Sequence, residues 1–293
     1  MKILYGIFSV VAWILSRLPF WILYLKSDVL CFFIYHVIGY RKKVVFENLH
    51  AAFPEKSEKE IKKIAKQFYR NLCDMIFEVI KVQGIKLEDL NKRIAFRNYE
   101  LLVPYLNNGK SIVAVTGHCG NWEWTGTVLS TYTDFEGLAP VKPLSNPFFH
   151  QYVNGLRMKF SGRGPVDFRL VLREMIKRKD HPILTMFVGD QTPTKNEIQY
   201  WTTFLNQDTA VFLGAEKIAK ALDHIVVFFD VQRVKRGYYE IVVSLITETP
   251  KLTADYEITE AHVKLLESCI QKTPDNWLWS HRRWKHKRSQ EKV

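Results

Sequence analysis

The chain has 293 residues, 47% of them hydrophobic and 14% aromatic, and a formal net charge of +12. This apolar content suffices for one large domain or two small ones. The sequence has no internal repeat, low-complexity tract or Pro/Gly/Ser-rich linker, and this favours one domain with terminal extensions. The positive charge indicates an anionic partner: nucleic acid, an anionic membrane surface or an acidic carrier. The four cysteines are scattered without a C-x-x-C pair, which argues against structural zinc and for reduced thiols.

Two apolar runs open the chain, over residues 3–25 and 29–40. The first is long enough to span a bilayer, which takes about 20 residues, but a charge such as Arg17 near its middle costs about 2.5–3.5 kcal/mol. Two short helices embedded in one leaflet therefore fit as well as one span, and no signal-peptide cleavage site follows. A buried hairpin of a soluble protein is the alternative. We predict a membrane-associated segment over residues 1–40, with the cations that follow it on the cytoplasmic side.

Helical and strand patterns alternate along the rest of the chain. Ser57 and Glu60 form a capping box, and apolar residues keep helical spacing from there to about Lys81. Short β-branched runs bounded by turn residues predict buried strands, two of them joined as a hairpin. The expected strands cover residues 111–115, 137–141, 182–188, 225–234 and 238–246. The expected helices cover residues 57–81, 168–178, 211–222 and 259–271, with another opened by Asn146-Pro147.

The most informative stretch is Gly117-His118-Cys119-Gly120-Asn121-Trp122-Glu123, directly after the first of these strands. Loops at such strand ends are where ligands bind in open α/β sheets. On one helix His118 and Glu123 would point about 140° apart, so they meet only if the histidine lies in the loop and the glutamate in the first turn of the next helix, with Asn121 as its N-cap. Glu123 would then hold one imidazole nitrogen and leave the other free to take a proton from a hydroxyl. A buried histidine beside a capped helix is the alternative.

This stretch resembles the His-x4-Asp/Glu signature of the glycerolipid acyltransferase superfamily, and more closely the His-Phe-Gly-Asn-Trp-Glu form of the bacterial lipid A late acyltransferases. Cys119 stands where that family has phenylalanine, so we expect it to be a small apolar filler. The resemblance covers roughly residues 41–288, including Arg41, Asn48-Leu49 and Phe53-Pro54-Glu55. It implies an α/β fold with a central mixed β-sheet flanked by helices, and an acyltransferase domain over residues 41–293 behind the N-terminal hydrophobic helical segment.

The resemblance also implies further site residues. Arg157 matches the family's arginine in the helix opened by Asn146, where it would grip phosphate or carrier; a solvated helix charge is the alternative. Lys142 stands where the family has arginine, and it keeps the charge but loses bidentate phosphate geometry. Gly120 and Asn121 belong to the loop whose backbone amides, or else Arg157, would stabilise a tetrahedral oxyanion.

A second strand end carries Gly189-Asp190-Gln191-Thr192-Pro193, which resembles the family's Asp-Gln-x-Pro loop. We expect this loop to converge on the site around His118, with Asp190 paired to Arg157 and Gln191 among the substrate-binding residues. A turn capped by Asp190 is the alternative, since aspartate is common in turns.

The tail from Trp277 to Arg288 interleaves tryptophans with cations. Such a pattern suits a membrane interface, where indoles sit at headgroup depth, and it also suits single-stranded nucleic acid. The family carries a similar Trp-x-x-x-Arg-Arg ending, so we interpret the tail as part of the domain and its membrane-facing edge.

The implied function is that of an O-acyltransferase at the cytoplasmic face of the inner membrane. It would move a fatty acyl chain from acyl-carrier protein or acyl-CoA to a hydroxyl of a lipid A precursor. His118 would be the general base, oriented by Glu123. We expect no covalent intermediate, since no Gly-x-Ser-x-Gly occurs, and no metal, since no His-Glu-x-x-His occurs. A cofactor and a nucleic-acid partner are not expected either. Two alternatives stay open: an acyltransferase acting on a phosphoglycerolipid or an amino-acid-containing lipid, and a non-enzymatic basic protein that binds membrane or nucleic acid.

Overall fold

A central mixed sheet organises the computed structural model, which describes residues 2–129, 136–161 and 165–288. Six strands of the described chain form this sheet in the order β1-β10-β9-β2-β6-β3. The strands are β1 Ile94–Arg97, β2 Ile112–Thr116, β3 Glu136–Leu138, β4 Pro140–Val141, β5 Val166–Asp167, β6 Ile183–Val188, β7 Tyr200–Phe204, β8 Gln207–Val211, β9 Ile225–Lys235 and β10 Tyr238–Thr247. The predicted α/β class with a mixed sheet is confirmed.

Parallel pairing dominates the middle of the sheet. Strands β9, β2, β6 and β3 run parallel, whereas β9 and β10 form the predicted antiparallel hairpin. Every residue of β2 is buried, as expected for a strand covered on both faces in a parallel sheet. Smaller pairs, β4 with β5 and β7 with β8, lie outside the main sheet.

Helices flank the sheet. Their bounds are α1 Lys2–Arg17, α2 Phe20–Phe32, α3 Lys42–Ala52, α4 Glu58–Lys81, α5 Leu87–Asn91, α6 Val103–Asn107, α7 Trp122–Leu129, α8 Pro147–Met158, α9 Val171–Lys177, α10 Gly214–Leu222 and α11 Glu257–Lys272. A π-helical stretch, Phe33–Ile38, continues α2. The Ser57 capping box and the Asn146 cap are both present as predicted. The predicted start of a helix at Val211 is wrong, because Val211 pairs with Tyr200 as the last residue of β8 and α10 begins only at Gly214.

The two N-terminal helices pack on α4 by one face only. Ala12 of α1 and Leu23 of α2 are each 1% exposed. Their opposite faces present large exposed apolar side chains: Ile3, Leu4, Ile7, Val10, Val11, Trp13, Ile14, Trp21, Leu25, Val29 and Phe32. The continuous helix Phe20–Ile38 is long and apolar enough to cross a membrane by length and composition. The N-terminal segment therefore has an apolar outer surface.

Polar contacts fix α2 to the rest of the protein. Ser27 Oγ donates to Asp74 Oδ1 of α4 at 2.6 Å, and Asp74 also accepts from Arg233 and Arg236 beside the β9–β10 turn. Asp28 of α2 accepts from Arg236 as well. A buried carboxylate such as that of Asp74 needs such hydrogen-bonding and cationic partners. The apolar helices are thereby held at a defined position against the domain that carries the site.

Candidate active site

The register of the sheet brings the two predicted loops together. Strands β2 and β6 are parallel neighbours, and their last residues, Thr116 and Val188, are paired. Two positions beyond each strand end stand His118 and Asp190. His118 Nδ1 lies 2.5 Å from Asp190 Oδ1, and the backbone N–H of His118 donates to Asp190 Oδ2 at 2.9 Å.

This contact corrects the expected pairing of the carboxylates. Glu123 was expected to hold the His118 ring and Asp190 to pair with Arg157, but the structure exchanges the two partners. Arg157 Nε donates to Glu123 Oε2 at 2.8 Å and its NH2 group donates to Glu123 Oε1 at 2.5 Å. The reason is positional: Glu123 lies in the first turn of α7, which packs against α8, the helix of Arg157, whereas Asp190 follows the strand next to that of His118.

Asp190 is built to remain an anion. Its side chain is 2% exposed. Burial by itself would raise the pKa of Asp190, but the attraction of His118, the two hydrogen bonds from His118 and the hydrogen bond from Trp277 outweigh burial and hold the pKa below its ordinary value. Trp277 Nε1 donates to Asp190 Oδ2 at 2.6 Å. A side chain at Gly117 would force its neighbours to move, since its Cβ would stand 2.6 Å from a methyl of Leu266 and 3.3 Å from Asp190 Oδ2.

The second ring nitrogen of His118 faces the more open side. With Nδ1–H donated to Asp190, Nε2 carries the lone pair and accepts hydrogen bonds. The side-chain amide nitrogen of Gln191 lies 3.2 Å from His118 Nε2. The His118 side chain is 16% exposed, and its ring makes an edge contact with Trp122 at 4.9 Å between centroids. The imidazole is therefore oriented from one side and reachable from the other.

A cleft opens beside Trp122 with an empty volume of about 670 Å³, part of it open to solvent. Glu123 and Arg157 form its charged part. The rest of the wall is largely apolar: Trp122, Leu129, Leu138, Pro140, Val141, Pro165, Met186 and Val188. The oriented imidazole does not line the cleft itself but contacts Trp122 in its wall. A bidentate ion pair and an apolar groove thus lie next to it, the arrangement expected of a site that binds an apolar substrate with a polar reacting end.

Asn121 shapes the motif loop. It is fully buried, and its Oδ1 accepts from Trp124 N at 3.0 Å, so the predicted N-cap of α7 is confirmed. Its Nδ2 donates to Glu78 Oε2 at 2.8 Å. These bonds commit the Asn121 side chain to the loop itself, and a direct contact with substrate stays a prediction.

Glu78 is a residue that the sequence analysis did not single out. This buried carboxylate on α4 accepts from Asn121, from Tyr239 Oη at 2.7 Å and from Tyr24 Oη at 3.0 Å. Burial raises its pKa, although the hydrogen bonds from Tyr239 and Asn121 oppose the shift. No local pattern marks this residue, because helical spacing groups Asp74 and Glu78 with polar residues of α4 such as Gln67 and Asn71. The two carboxylates are buried because α2 packs over that side of α4, where Ser27 and Tyr24 donate to them.

The C-terminal tail also holds the motif loop. Leu278 N donates to His118 O at 3.1 Å, and Gly120 N donates to Asn276 O at 2.9 Å. Gly120 has φ +54, a conformation that glycine adopts at little cost. Because its N–H is taken by Asn276, the Gly120 amide is not free for an oxyanion. Cys119 is buried, as expected for an apolar filler, and burial raises the pKa of its thiol.

The membrane-facing interpretation of the tail is wrong for two of its tryptophans. Trp277 and Trp279 are 2% and 0% exposed, respectively, and belong to the core. The family-like segment near the N-terminus explains their position, since Asn48 Nδ2 donates to Trp279 O at 2.8 Å and Arg41 donates to Ser280 O at 3.0 Å.

Lys142 is exposed. Its ammonium stands 5.9 Å from the centre of the Phe168 ring and does not line the apolar cleft.

Across residues 2–129, 136–161 and 165–288, no three His, Cys, Asp or Glu side chains form a group that could hold a metal ion.

Comparison with known proteins identifies the class of protein that carries this site. Residues 3–286 match the model of the family described as bacterial lipid A biosynthesis acyltransferase. The chain is also 23% identical over 280 residues to the lipid A biosynthesis lauroyltransferase of Escherichia coli (strain K12), an alignment that covers 94% of this chain and 89% of the relative. These matches define the protein as an acyltransferase. More particularly, it belongs to the bacterial lipid A biosynthesis acyltransferase family.

Proposed function

We propose that this protein transfers a fatty acyl chain from an acyl thioester to a hydroxyl of a lipid A precursor, with His118 as general base. The observation that carries the proposal is the oriented imidazole: Asp190 holds Nδ1, and Nε2 faces the open side with its lone pair. The family and the lauroyltransferase relative support lipid A as the acceptor. The thioester is carried by acyl-carrier protein or coenzyme A.

In the proposed reaction His118 Nε2 removes the proton of the acceptor hydroxyl while that oxygen attacks the thioester carbonyl carbon. The new C–O bond gives a tetrahedral oxyanion, which collapses as the C–S bond breaks. The departing thiolate then receives the proton from the His118 imidazolium. Asp190 stabilises that imidazolium while remaining an anion itself. Gln191, now 3.2 Å from Nε2, gives way to the hydroxyl and turns its amide to the substrate.

Glu123 acts in this proposal through Arg157 and not through His118. The ion pair fixes the guanidinium at the charged part of the cleft, because bidentate Arg–carboxylate bonds set both distance and plane. Arg157 Nη1 also donates to Asn154 Oδ1 at 3.3 Å. Its remaining N–H groups and its charge are available to a thioester oxyanion or to a phosphate of donor or acceptor. The acyl chain then lies along the apolar wall that includes Leu129 and Met186.

The N-terminal helices support a membrane location for this reaction. Their exposed apolar faces would be buried in the acyl region of one leaflet, as in monotopic proteins. The cations Arg41-Lys42-Lys43 that follow favour the cytoplasmic side. We therefore propose attachment to the inner membrane with the site facing the cytoplasm, where acyl thioesters are made. The burial of Trp277 and Trp279 removes two of the rings that nucleic-acid stacking would need.

The test is a transfer assay with purified protein, lipid A precursor and acyl-carrier protein or CoA thioesters, followed by mass spectrometry. We expect the acceptor to gain the mass of one acyl chain. Replacing the general base in His118→Gln should lower the rate by about 10²–10⁴-fold, and the surface variant His50→Gln is the matched control. Acylation of a phosphoglycerolipid or an amino-acid-containing lipid instead would identify a different acceptor, and wild-type rates in His118→Gln would refute the mechanism.

A further inference from the structure

A second concave site lies at the end of α4, away from the cleft beside Trp122. It has an empty volume of about 740 Å³, part of it open to solvent, and shares no lining residue with that cleft. Four of its wall residues are cations, Lys81, Lys86, Lys92 and Arg93, and one is an acid, Asp89.

The charges of this cavity do not balance. Lys92 Nζ pairs with Asp89 Oδ1 at 3.0 Å on the surface. Lys81 is 9% exposed, and its ammonium donates to two backbone carbonyls at the end of α1, Ser16 O at 2.9 Å and Leu18 O at 2.7 Å. Arg93 donates to Gly237 O at 3.2 Å. Among the described residues, Lys81 and Arg93 thus donate to backbone carbonyls, and Asp89 is the one carboxylate in the wall that faces the four cations.

Neighbouring cations increase this excess. Arg17 approaches Gln83 O at 3.5 Å, and Lys159 Nζ donates to Val82 O at 2.7 Å. Burial, together with repulsion by Arg17 and Arg93, lowers the pKa of Lys81. Lys81 is the buried cation of this cluster, and a buried cation without a counter-charge destabilises the site that holds it. An anion with several oxygens, approached from different directions by ammonium and guanidinium groups, would relieve this, and phosphate is the group that such clusters bind.

The position of the cavity indicates which molecule would supply such a phosphate. Its wall includes Phe20, the first residue of α2, and the guanidinium carbon of Arg93 lies 3.5 Å from the centre of that ring. The cavity is therefore at the turn between the two apolar helices. Trp13 and Trp21 on either side of this turn are 51% and 65% exposed, the environment of indoles at headgroup depth.

We propose that this cavity binds the phosphate of an anionic membrane lipid whose acyl chains lie along the exposed faces of α1 and α2. The site anchors the N-terminal helices at a fixed depth and rotation, because Lys81, which would bind the phosphate, also donates to the backbone carbonyls at the end of α1. The proposal concerns membrane attachment and is independent of the chemistry at His118.

The test uses the full-length protein and two charge-matched double variants. Lys86→Gln/Lys92→Gln removes two exposed cations of the cavity, and Lys217→Gln/Lys264→Gln removes two exposed lysines from α10 and α11. Binding is measured by flotation with vesicles of phosphatidylcholine alone and of phosphatidylcholine mixed with phosphatidylglycerol. We expect the cavity variant to lose about tenfold or more of its affinity for the anionic vesicles, and the control variant to lose less than about twofold.

Two further measurements make the result decisive. Asp89→Asn, which removes the single acid of the cavity, should strengthen binding to anionic vesicles severalfold, an effect that mere damage to the fold would not give. Transfer in detergent, with dissolved acceptor and donor, should be unchanged in the cavity variant, so failure here is separate from failure of the proposed reaction. Equal losses in the cavity and control variants overturn the proposal. So does stabilisation of the wild type by inorganic phosphate combined with unchanged vesicle binding of the cavity variant, which would define a site for free phosphate.

Discussion

The hydrogen bond between His118 and Asp190 joins the ends of two parallel strands that are neighbours in the sheet but lie 72 positions apart in the chain. Because the Thr116–Val188 pair fixes the register, the imidazole and the carboxylate are aligned by the backbone of the sheet and not by a flexible loop. Asp190 also accepts from the His118 backbone N–H. The site therefore lies directly beyond the ends of two paired strands of the central sheet, which suits a base whose position sets the rate.

The first prediction separates the two ion pairs by double-mutant cycles. Asp190→Asn should lower kcat by about 10³–10⁴-fold, because an amide no longer fixes the tautomer of His118 or stabilises its imidazolium. Combined with His118→Gln it should add little, because residues that act as a unit are not additive. The same cycle on Glu123→Gln and Arg157→Lys should show strong coupling within that pair.

The cross-cycle is the control for this assignment. Glu123→Gln combined with Asp190→Asn should give losses closer to additive than either true pair, measured as kcat/KM in transfer assays. Strong coupling of Glu123 to His118, with none between Asp190 and His118, would restore the pairing that the His-x4-Glu spacing suggested.

How much of this site the sequence could reveal depends on the kind of contact. His118, Glu123 and Asp190 could be singled out because each lies in a short motif after a strand, whereas Arg157 was singled out only through the family resemblance. The structure places all four around one site. Which carboxylate belongs to which cation was predicted wrongly, because that depends on strand order. Nothing in the chain between residues 118 and 190 indicates that β2 and β6 are neighbours.

The tail shows a second limit of sequence analysis. Tryptophans interleaved with cations are typical of an interface, yet Trp277 and Trp279 are core residues. Their burial depends on distant partners, Asn48 on α3 and the motif loop. The lengths and types of the local elements were better predicted, since capping boxes and hydrophobic spacing act within a few residues.

Glu78 gives the second prediction. Glu78→Met removes the carboxylate to which Asn121, Tyr24 and Tyr239 all donate, so these buried donors lose their acceptor. We expect the free energy of unfolding to fall by about 1–3 kcal/mol, and kcat to fall by about tenfold as Asn121 moves the motif loop. Tyr24→Phe, which removes a donor but leaves the Asn121–Glu78 bond, should keep kcat within about twofold to threefold. If the loss of kcat merely tracks the loss of thermal stability in both variants, Glu78 has no positioning role.

The third prediction concerns pH. Burial lowers the pKa of His262 and of His281 to about 4, whereas both would titrate near about 6.5 in the unfolded chain. Below about pH 6.5 these histidines bind protons in the unfolded state but stay neutral in the native state. Their contribution to the free energy of unfolding is therefore fully present above about pH 6.5 and is lost as the pH falls towards 4.

Thermal unfolding between pH 7.5 and 4.5 measures this directly. The midpoint should decline steadily below about pH 6.5, and replacing one buried ring, as in His262→Gln, should flatten the decline. A midpoint that stays constant down to pH 5 would contradict the buried, neutral state of these two histidines.

The last prediction tests the tail as a support for the base. Trp277→Phe keeps most of the ring volume but removes the N–H that donates to Asp190 at 2.6 Å. A charged acceptor that loses one of its donors costs about 1.5–3 kcal/mol, so kcat should fall by about tenfold or more while the KM for donor and acceptor changes little. Trp284→Phe is the matched control, because Trp284 Nε1 donates to Thr209 at 2.8 Å and not to the site. Equal losses in the two variants would mean that the tail contributes only to packing. A loss confined to Trp277→Phe would show that the indole, 87 positions from Asp190 in the chain, helps to hold the carboxylate that orients His118.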